Sequence, residues 1–332
     1  MSLEPTTLLT LPEVAKDHLM EYLNYIDIAR LRKTCHVFRN YLIAKLPNAN
    51  IDYIQVSQKE NSMELNFKTE LEEDLQDLLK IEYKKAGNGC SINANFEQED
   101  MRTVKRDRRN YLDVFCDDFS MLLKHQKSIS DELSFIALND PEKRTEFWDT
   151  IRKVLEDTEA TTGTKLLLEK RSLTLQNVMA PDVFSILNYF NPNCIEEIQF
   201  KGEFRGAQPL YGIVDLPHWN HLTDVTLHGF DIGNIAQNIS HLEWFSADVR
   251  VLTAEDVLQI KNMMLRSGQL KMCKLYGYSN QNESFQQSLG PIFTEEEFQE
   301  GIQEQTWKFN SPIPGNVLEV KCVGPTIVFE MT

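Results

Sequence analysis

Basic residues are scarce: 34 Lys and Arg stand against 50 Asp and Glu in 332 residues, a formal net charge of −16 at neutral pH. That balance repels a phosphate backbone, so direct nucleic-acid binding is not expected as the main activity. The one basic run, Lys105 to Arg109, reads as the solvated start of a helix, with Asp113, Asp117 and Asp118 following it. Closely spaced cysteines are missing too. The six cysteines (35, 90, 116, 194, 273 and 322) lie at least 26 residues apart with no CxxC pair, which predicts reduced thiols and no disulfide framework. The N-terminus has acids and a proline where a signal peptide needs a basic region and an apolar run, and no apolar stretch reaches the roughly 18 residues that span a bilayer. A cytoplasmic or nuclear protein with no membrane partner is expected.

Catalytic signatures are equally sparse. No GxSxG, HExxH, Walker or kinase figure occurs, and Gly87 and Gly89 lead into no phosphate loop. His218, His221 and His228 are the best metal candidates, but Pro217 and a strand-like figure at Leu222 place them on loop and strand, with no fourth ligand fixed. Asp117 and Asp118 occupy adjacent helical positions and point to different faces. Cys194 and Cys273 fall at or beside core strand positions, where cysteine packs as a small hydrophobe. No enzyme, no metal and no cofactor are expected.

What is present begins at once. In "LPEVAKDHLMEYL", Thr10 and Glu13 have the spacing of a capping box and Pro12 suits a first turn, with Ala15, Leu19, Tyr22 and Leu23 on one stripe. A second helix capped by Asp27 is predicted to carry a continuous stripe through Ile28, Leu31, Cys35, Phe38 and Leu42. Below about 40 residues a chain rarely supports its own core, so these apolar side chains must dock on a partner or on the rest of the chain.

Leu11-Pro12, Leu19, Leu23, Asp27-Ile28, Leu31, Cys35 and Phe38 resemble an F-box, the module that binds the Skp-type adaptor of cullin-based ubiquitin ligases. "LPEVAKDHLMEYL", "LRKTC" and "FRNYL" are similar to the nematode F-box A family, whose members continue into an FTH (FOG-homology) domain. Val14, Lys16, Asp17 and Phe38 depart from the broader F-box pattern. The resemblance implies that Leu11 and Pro12 insert into the adaptor, and that Leu19, Leu23, Ile28, Leu31, Cys35 and Phe38 divide between the module's own packing and the adaptor. It further implies a substrate receptor joined through the adaptor to a cullin, with an unknown protein target. Other readings stay open: a bridging adaptor outside any ligase, for instance to an RNA-binding regulator; an antidote that removes a toxin; and a hydrolase.

Three regions are expected: an F-box over 8–48, a β-hairpin connector over 49–100, and an FTH-like repeat domain over 101–332. In the connector, Ile51, Ile54 and Val56 alternate so as to pair with Met63, Leu65 and Phe67, and Ile81-Tyr83 with Ile92 across a turn at Asn88-Gly89; "ELEEDLQDLL" between them reads as an acidic linker or short helix. A helix is predicted from about Arg106 to Lys124. From residue 133 a figure L-x-x-L-x-L recurs, beginning at Leu133, Lys170 (degenerate), Ile195, Leu222, Leu242, Leu270 and Val317. Central spacings of 20 to 28 suit an α/β arc resembling leucine-rich repeats, with an ordinary α/β domain as the alternative. Helices starting at Asp140-Pro141, Pro181 and Thr253 supply the crossovers of a parallel sheet, closed by a hairpin near the end. On that reading the columns Gln199; Asp224 and Thr226; Trp244 and Ser246; Lys274 and Tyr276 face a protein target, with Trp244 either an anchor or packed under a loop.

Overall fold

The computed structural model describes residues 8–23, 25–45, 47–48, 51–69, 79–95, 102–126, 132–167, 171–202, 208–249, 251–277, 285, 288–299 and 302–332. Most of the acidic linker and Lys170 lie outside them. Internal contacts divide the chain into two units, residues 1–171 with 188–191, and 172–187 with 192–332.

The first unit opens with α1 (Glu13–Met20), α2 (Tyr25–Thr34) and α3 (His36–Lys45). Three helices replace the expected two, because the stripe from Ile28 to Leu42 is interrupted at Cys35. Thr34 Oγ1 donates to the Leu31 carbonyl at 2.7 Å, and a new ladder starts where the Cys35 carbonyl accepts from Arg39 N–H at 3.1 Å. α1 starts at Glu13 behind Pro12 with no side-chain cap, so no capping box forms there; Asp27 lies inside the first turn of α2 instead of capping it. Asp17, a departure from the F-box pattern, has a structural use: it accepts hydrogen bonds from Tyr41 and, at 3.3 Å, from Lys45, tying α1 to α3. These bonds hold its carboxyl below the ordinary range, the Tyr41 hydroxyl being the main cause.

The described residues between 51 and 95 form the expected hairpins as part of a larger sheet. β1 (Ile51–Lys59), β2 (Ser62–Thr69), β3 (Leu79–Ala86), β4 (Gly89–Asn95) and β5 (Arg102–Arg106) make an antiparallel meander, and β6 (Glu132–Ile136) joins β1 in parallel. Ile54 faces Phe67, Val56 faces Leu65 and Tyr83 faces Ile92, as the alternation predicts. The β3–β4 turn is centred on Gly87-Asn88, one residue earlier than expected, with Gly87 at φ +57°. Gly89 serves another end: a Cβ there would lie 2.2 Å from the Arg106 carbonyl, so the glycine permits the approach of β5.

The basic run does not open a helix. Lys105 and Arg106 end β5, and α4 (Tyr111–Lys124) begins behind Asn110, whose side chain accepts from Leu112 N–H. α4 buries Phe115, Phe119, Leu122 and Leu123, with Phe115 stacked on Phe119 and edge-on to Tyr83. α5 (Pro141–Thr162) is capped by Asp140, which accepts from Lys143 N–H at 3.0 Å, and ends on Gly163 at φ +70°.

In the second unit a strand stands at every recurrence of the six-position figure that falls there: β7 (Arg171–Gln176), β8 (Ile195–Lys201), β10 (Asp224–His228), β12 (Trp244–Asp248), β13 (Met272–Tyr276) and β16 (Val317–Val323). β8, β10, β12 and β13 pair in parallel, with β7 beside β8. β17 (Thr326–Met331), β16, β15 (Ile302–Asn310) and β14 (Thr294–Gln299) then continue antiparallel from β13, so the closing hairpin is β16–β17. The short β9 (Gln208–Pro209) and β11 (Phe230–Asp231) pair separately.

α6 (Ala180–Leu187), α7 (Ile235–Asn238) and α8 (Ala254–Ser267) complete this unit, with 3-10 turns over Tyr211–Asp215 and Pro217–His221. The buried sheet face carries Ile198, Phe200, Val225, Leu227, Phe245, Ala247, Cys273 and Leu275. No helix among the described residues is long and apolar enough to cross a membrane.

α8 has both predicted ends. Thr253 Oγ1 accepts from Asp256 N–H at 3.1 Å, the Asp256 carboxylate accepts from Thr253 N–H at 2.9 Å, and Gly268 at φ +61° closes the helix. Thr253→Ala should therefore destabilise this unit by about 0.5–2 kcal/mol, and Thr253→Asn by clearly less, read as shifts in the urea midpoint.

Candidate functional site

The register of the four parallel strands decides which side chains share a surface. Asp224 lies between Glu197 and Trp244, and Trp244 beside Met272; Thr226 lies between Gln199 and Ser246, and Ser246 beside Lys274; Asp248 lies beside Tyr276. His228 on β10 faces Lys201 on β8. All seven residues assigned to target binding, Gln199, Asp224, Thr226, Trp244, Ser246, Lys274 and Tyr276, thus fall on one face in three rows. Trp244 is 47% exposed, so it is not packed under a loop.

Local contacts order this face without covering it. Gln199 Nε2 donates to Glu197 at 2.7 Å, and Thr223 Oγ1 donates to Asp224 at 2.6 Å. The Lys274 ammonium lies 5.1 Å from the centre of the Tyr276 ring, and the His228 ring packs against the same Tyr276 ring, 5.3 Å between centres. His228 Nδ1 is 3.2 Å from Asp248 Oδ1, while Asp248 Oδ2 accepts from Gly229 N–H at 2.7 Å. Gly229 sits at φ +77°, which turns that N–H toward the carboxylate. The Asp248–His228 contact crosses from β12 to β10; nothing in the spacing of the two residues announced it.

The three histidines flagged as ligands do not form one cluster. His218 is buried on the 3-10 turn, His221 is exposed and His228 pairs with Asp248. Among the described residues no group of three or more His, Cys, Asp or Glu is placed to hold a metal. Cys273 is fully buried, and burial raises its thiol far above the ordinary value; Cys116 is raised to about 11, again by burial. A thiol held protonated is a poor nucleophile.

At the other end of the chain, the residues assigned to adaptor binding lie largely inside their own module. Ile28 and Phe38 are buried with Met20 and Leu42, and Leu19, Leu23, Leu31 and Cys35 pack against that cluster. Leu11 is partly exposed and Pro12 exposed. The apolar side chains that remain open on the helices are others: Val14, Tyr22, Val37 and Ile43. Tyr25 meets Phe67 edge-on at 5.2 Å, and His125 Nδ1 reaches the Pro47 carbonyl at 3.3 Å, so the helices also pack on the first unit's sheet and on the segment after α4. Helical periodicity marks which positions are apolar; it does not separate those turned inward from those left open.

The picture is of a mixed α/β protein with a helical N-terminal module and an exposed polar sheet face carrying a tryptophan. Residues 152–292 match the family model of the FTH domain. No curated protein and no solved structure matches the chain.

Asp248 yields a pH test. Burial raises its pKa, but the hydrogen bonds from His228 and Gly229 and the charge of His228 outweigh burial, and the net shift is downward from 3.8. A carboxylate depressed in the folded state stabilises fully above its unfolded value and loses that contribution as pH falls through the folded value. The acid limb of the stability curve, below about pH 4, should flatten in Asp248→Asn, measured by thermal melts across pH.

Proposed function

We propose that the chain is a non-catalytic receptor subunit of a Skp-cullin-F-box ubiquitin ligase. Its N-terminal helices dock on the Skp-type adaptor, and the polar face of β8, β10, β12 and β13 holds a protein target whose lysines are brought to the ubiquitin-charged enzyme. We read the four parallel strands as a short repeat array of the leucine-rich-repeat kind. The observation that carries the proposal is the FTH match over 152–292 in the same chain as an N-terminal module whose residues resemble an F-box. The exposed Trp244 and the half-buried Tyr276 among polar neighbours support the target face, since rigid aromatics dominate binding energy at such surfaces. The protein's contribution is effective concentration: a tethered target meets the transfer enzyme far more often than a free one.

The burial of Ile28 and Phe38 sharpens the adaptor contact. It leaves Leu11 and Pro12 as the inserting loop, with Val14, Tyr22, Val37 and Ile43 as the open apolar positions beside them. A chain that bridges two proteins outside a ligase would share the target face and lack the adaptor.

Co-purification separates the two. Wild type should retain a Skp-type adaptor, Leu11→Ala/Pro12→Ala should lose most of it, and Asp224→Arg/Trp244→Ala should keep the adaptor while losing a target captured by wild type. Failure of wild type to bind any Skp-type adaptor overturns the ligase reading. Survival of target capture in the second variant overturns the assignment of the face.

A further inference from the structure

The meander of the first unit has two chemically different faces. In one, Leu65, Ile81, Ala94 and Arg102 lie side by side across β2, β3, β4 and β5, and Met63, Tyr83, Ile92 and Val104 form the next row. The other face is polar, with Glu64, Glu82, Asn93 and Thr103 in line. The apolar face is well covered at its centre, where Leu65 and Tyr83 are buried, and progressively bare toward the edge: Ile92 and Ala94 are partly exposed and Val104 is 45% exposed. Among the described residues β5 ends this sheet, and it is exposed at all five positions.

A cleft of about 1260 Å³ opens over this face, walled by α2, the start of α3, α4 and α5. Nine of its lining side chains are Arg or Lys and four are Asp. In a chain of net charge −16 this is a local surplus of cations. The acids are partly committed: Asp117 holds Arg109 at 2.7 Å, and Asp118 accepts from the Tyr83 hydroxyl at 3.1 Å. Arg102, Val104 and Arg106 alternate along β5 on the cleft side, a cation, an apolar residue and a cation.

From this geometry we infer that the cleft binds an acidic, extended peptide segment of a partner protein, added as a further strand along β5. Main-chain hydrogen bonds to the open edge supply affinity, and alternate side chains supply specificity. A strand whose cleft-side residues run acidic, apolar, acidic sets carboxylates against Arg102 and Arg106 and an aliphatic side chain against Val104. A nucleic acid fits less well: of the cleft's three aromatic residues, Phe67 and Tyr83 are fully buried and Tyr25 is engaged edge-on with Phe67, and the chain as a whole repels a polyanion. The inference stands apart from the ligase reading, because it concerns the isolated chain and needs neither adaptor nor target.

The test is fluorescence anisotropy of the full chain with three labelled probes: a ten-residue alternating Glu-Val peptide, its Lys-Val counterpart and a single-stranded thymidine oligomer. The Glu-Val peptide should bind, and more weakly as salt rises; the Lys-Val peptide should not; Arg102→Glu/Arg106→Glu should weaken binding at least about tenfold. Both substitutions lie on an exposed edge strand, and Lys124→Glu/Lys153→Glu on α4 and α5 provides a second charge reversal should the first pair fail to fold. Hydrogen exchange must slow at the β5 amides when the Glu-Val peptide is added. Absence of binding, binding unchanged by charge reversal, equal or tighter binding of the oligomer, or unprotected β5 amides overturns the proposal.

Discussion

Four parallel strands in register impose the constraint on which the second unit depends. With Ile198, Val225, Phe245 and Cys273 in one row and Phe200, Leu227, Ala247 and Leu275 in another, every inward position is apolar and almost sealed. Because the side-chain period of a strand is two, the intervening residues have nowhere to go but the opposite face, and a one-residue slip would bury Asp224 and Lys274. The polar grid with Trp244 in its first row, between Asp224 and Met272, is thus a by-product of the core, and its rigidity comes from the strands beneath it. A surface held this way suits recognition, since little side-chain or loop entropy is lost when a partner arrives.

The first unit answers a different problem. A helical segment of some 35 residues has too little interior to fold alone, and α1, α2 and α3 meet this by closing around Met20, Ile28, Phe38 and Leu42 and leaning on the sheet through Tyr25. The bridge from Asp17 to Tyr41 and Lys45 fixes the first helix to the third. Once those inward positions are filled, the large apolar side chains left well exposed among the described residues of this segment are Val14, Tyr22, Val37 and Ile43, with the partly exposed Leu11 and exposed Pro12 beside them.

Local signals were legible where short-range chemistry alone decides. Thr253 and Asp256 with Gly268, the start at Asp140-Pro141, and the alternation through Ile54, Val56, Leu65 and Phe67 each specify an element or its end within a few residues. Long-range pairing hid the rest. Lys105 to Arg109 reads as the solvated start of a helix, yet Lys105 and Arg106 end a strand because Val104 and Arg106 find Ile92 and Cys90, and because Gly89 leaves room for them. The break at Cys35 was concealed by a stripe that stays in phase across it. That Gln199, Asp224, Thr226, Trp244, Ser246, Lys274 and Tyr276 share one sheet face was legible, since strand period and repeat spacing determine a face once the strands are parallel; the Asp248–His228 pair and the cleft over β2 to β5 required the third dimension.

The central claim is that one chain carries two separate docking surfaces, one on its first three helices and one on the sheet of its second unit. Hydrogen exchange of the full chain, with and without a purified Skp-type adaptor, tests it most directly. The account predicts slowed exchange confined to residues 8–45, with β10, β12 and β13 unchanged. Protection that falls on β10, β12 and β13 instead, or none at residues 8–45 at saturating adaptor, would contradict it.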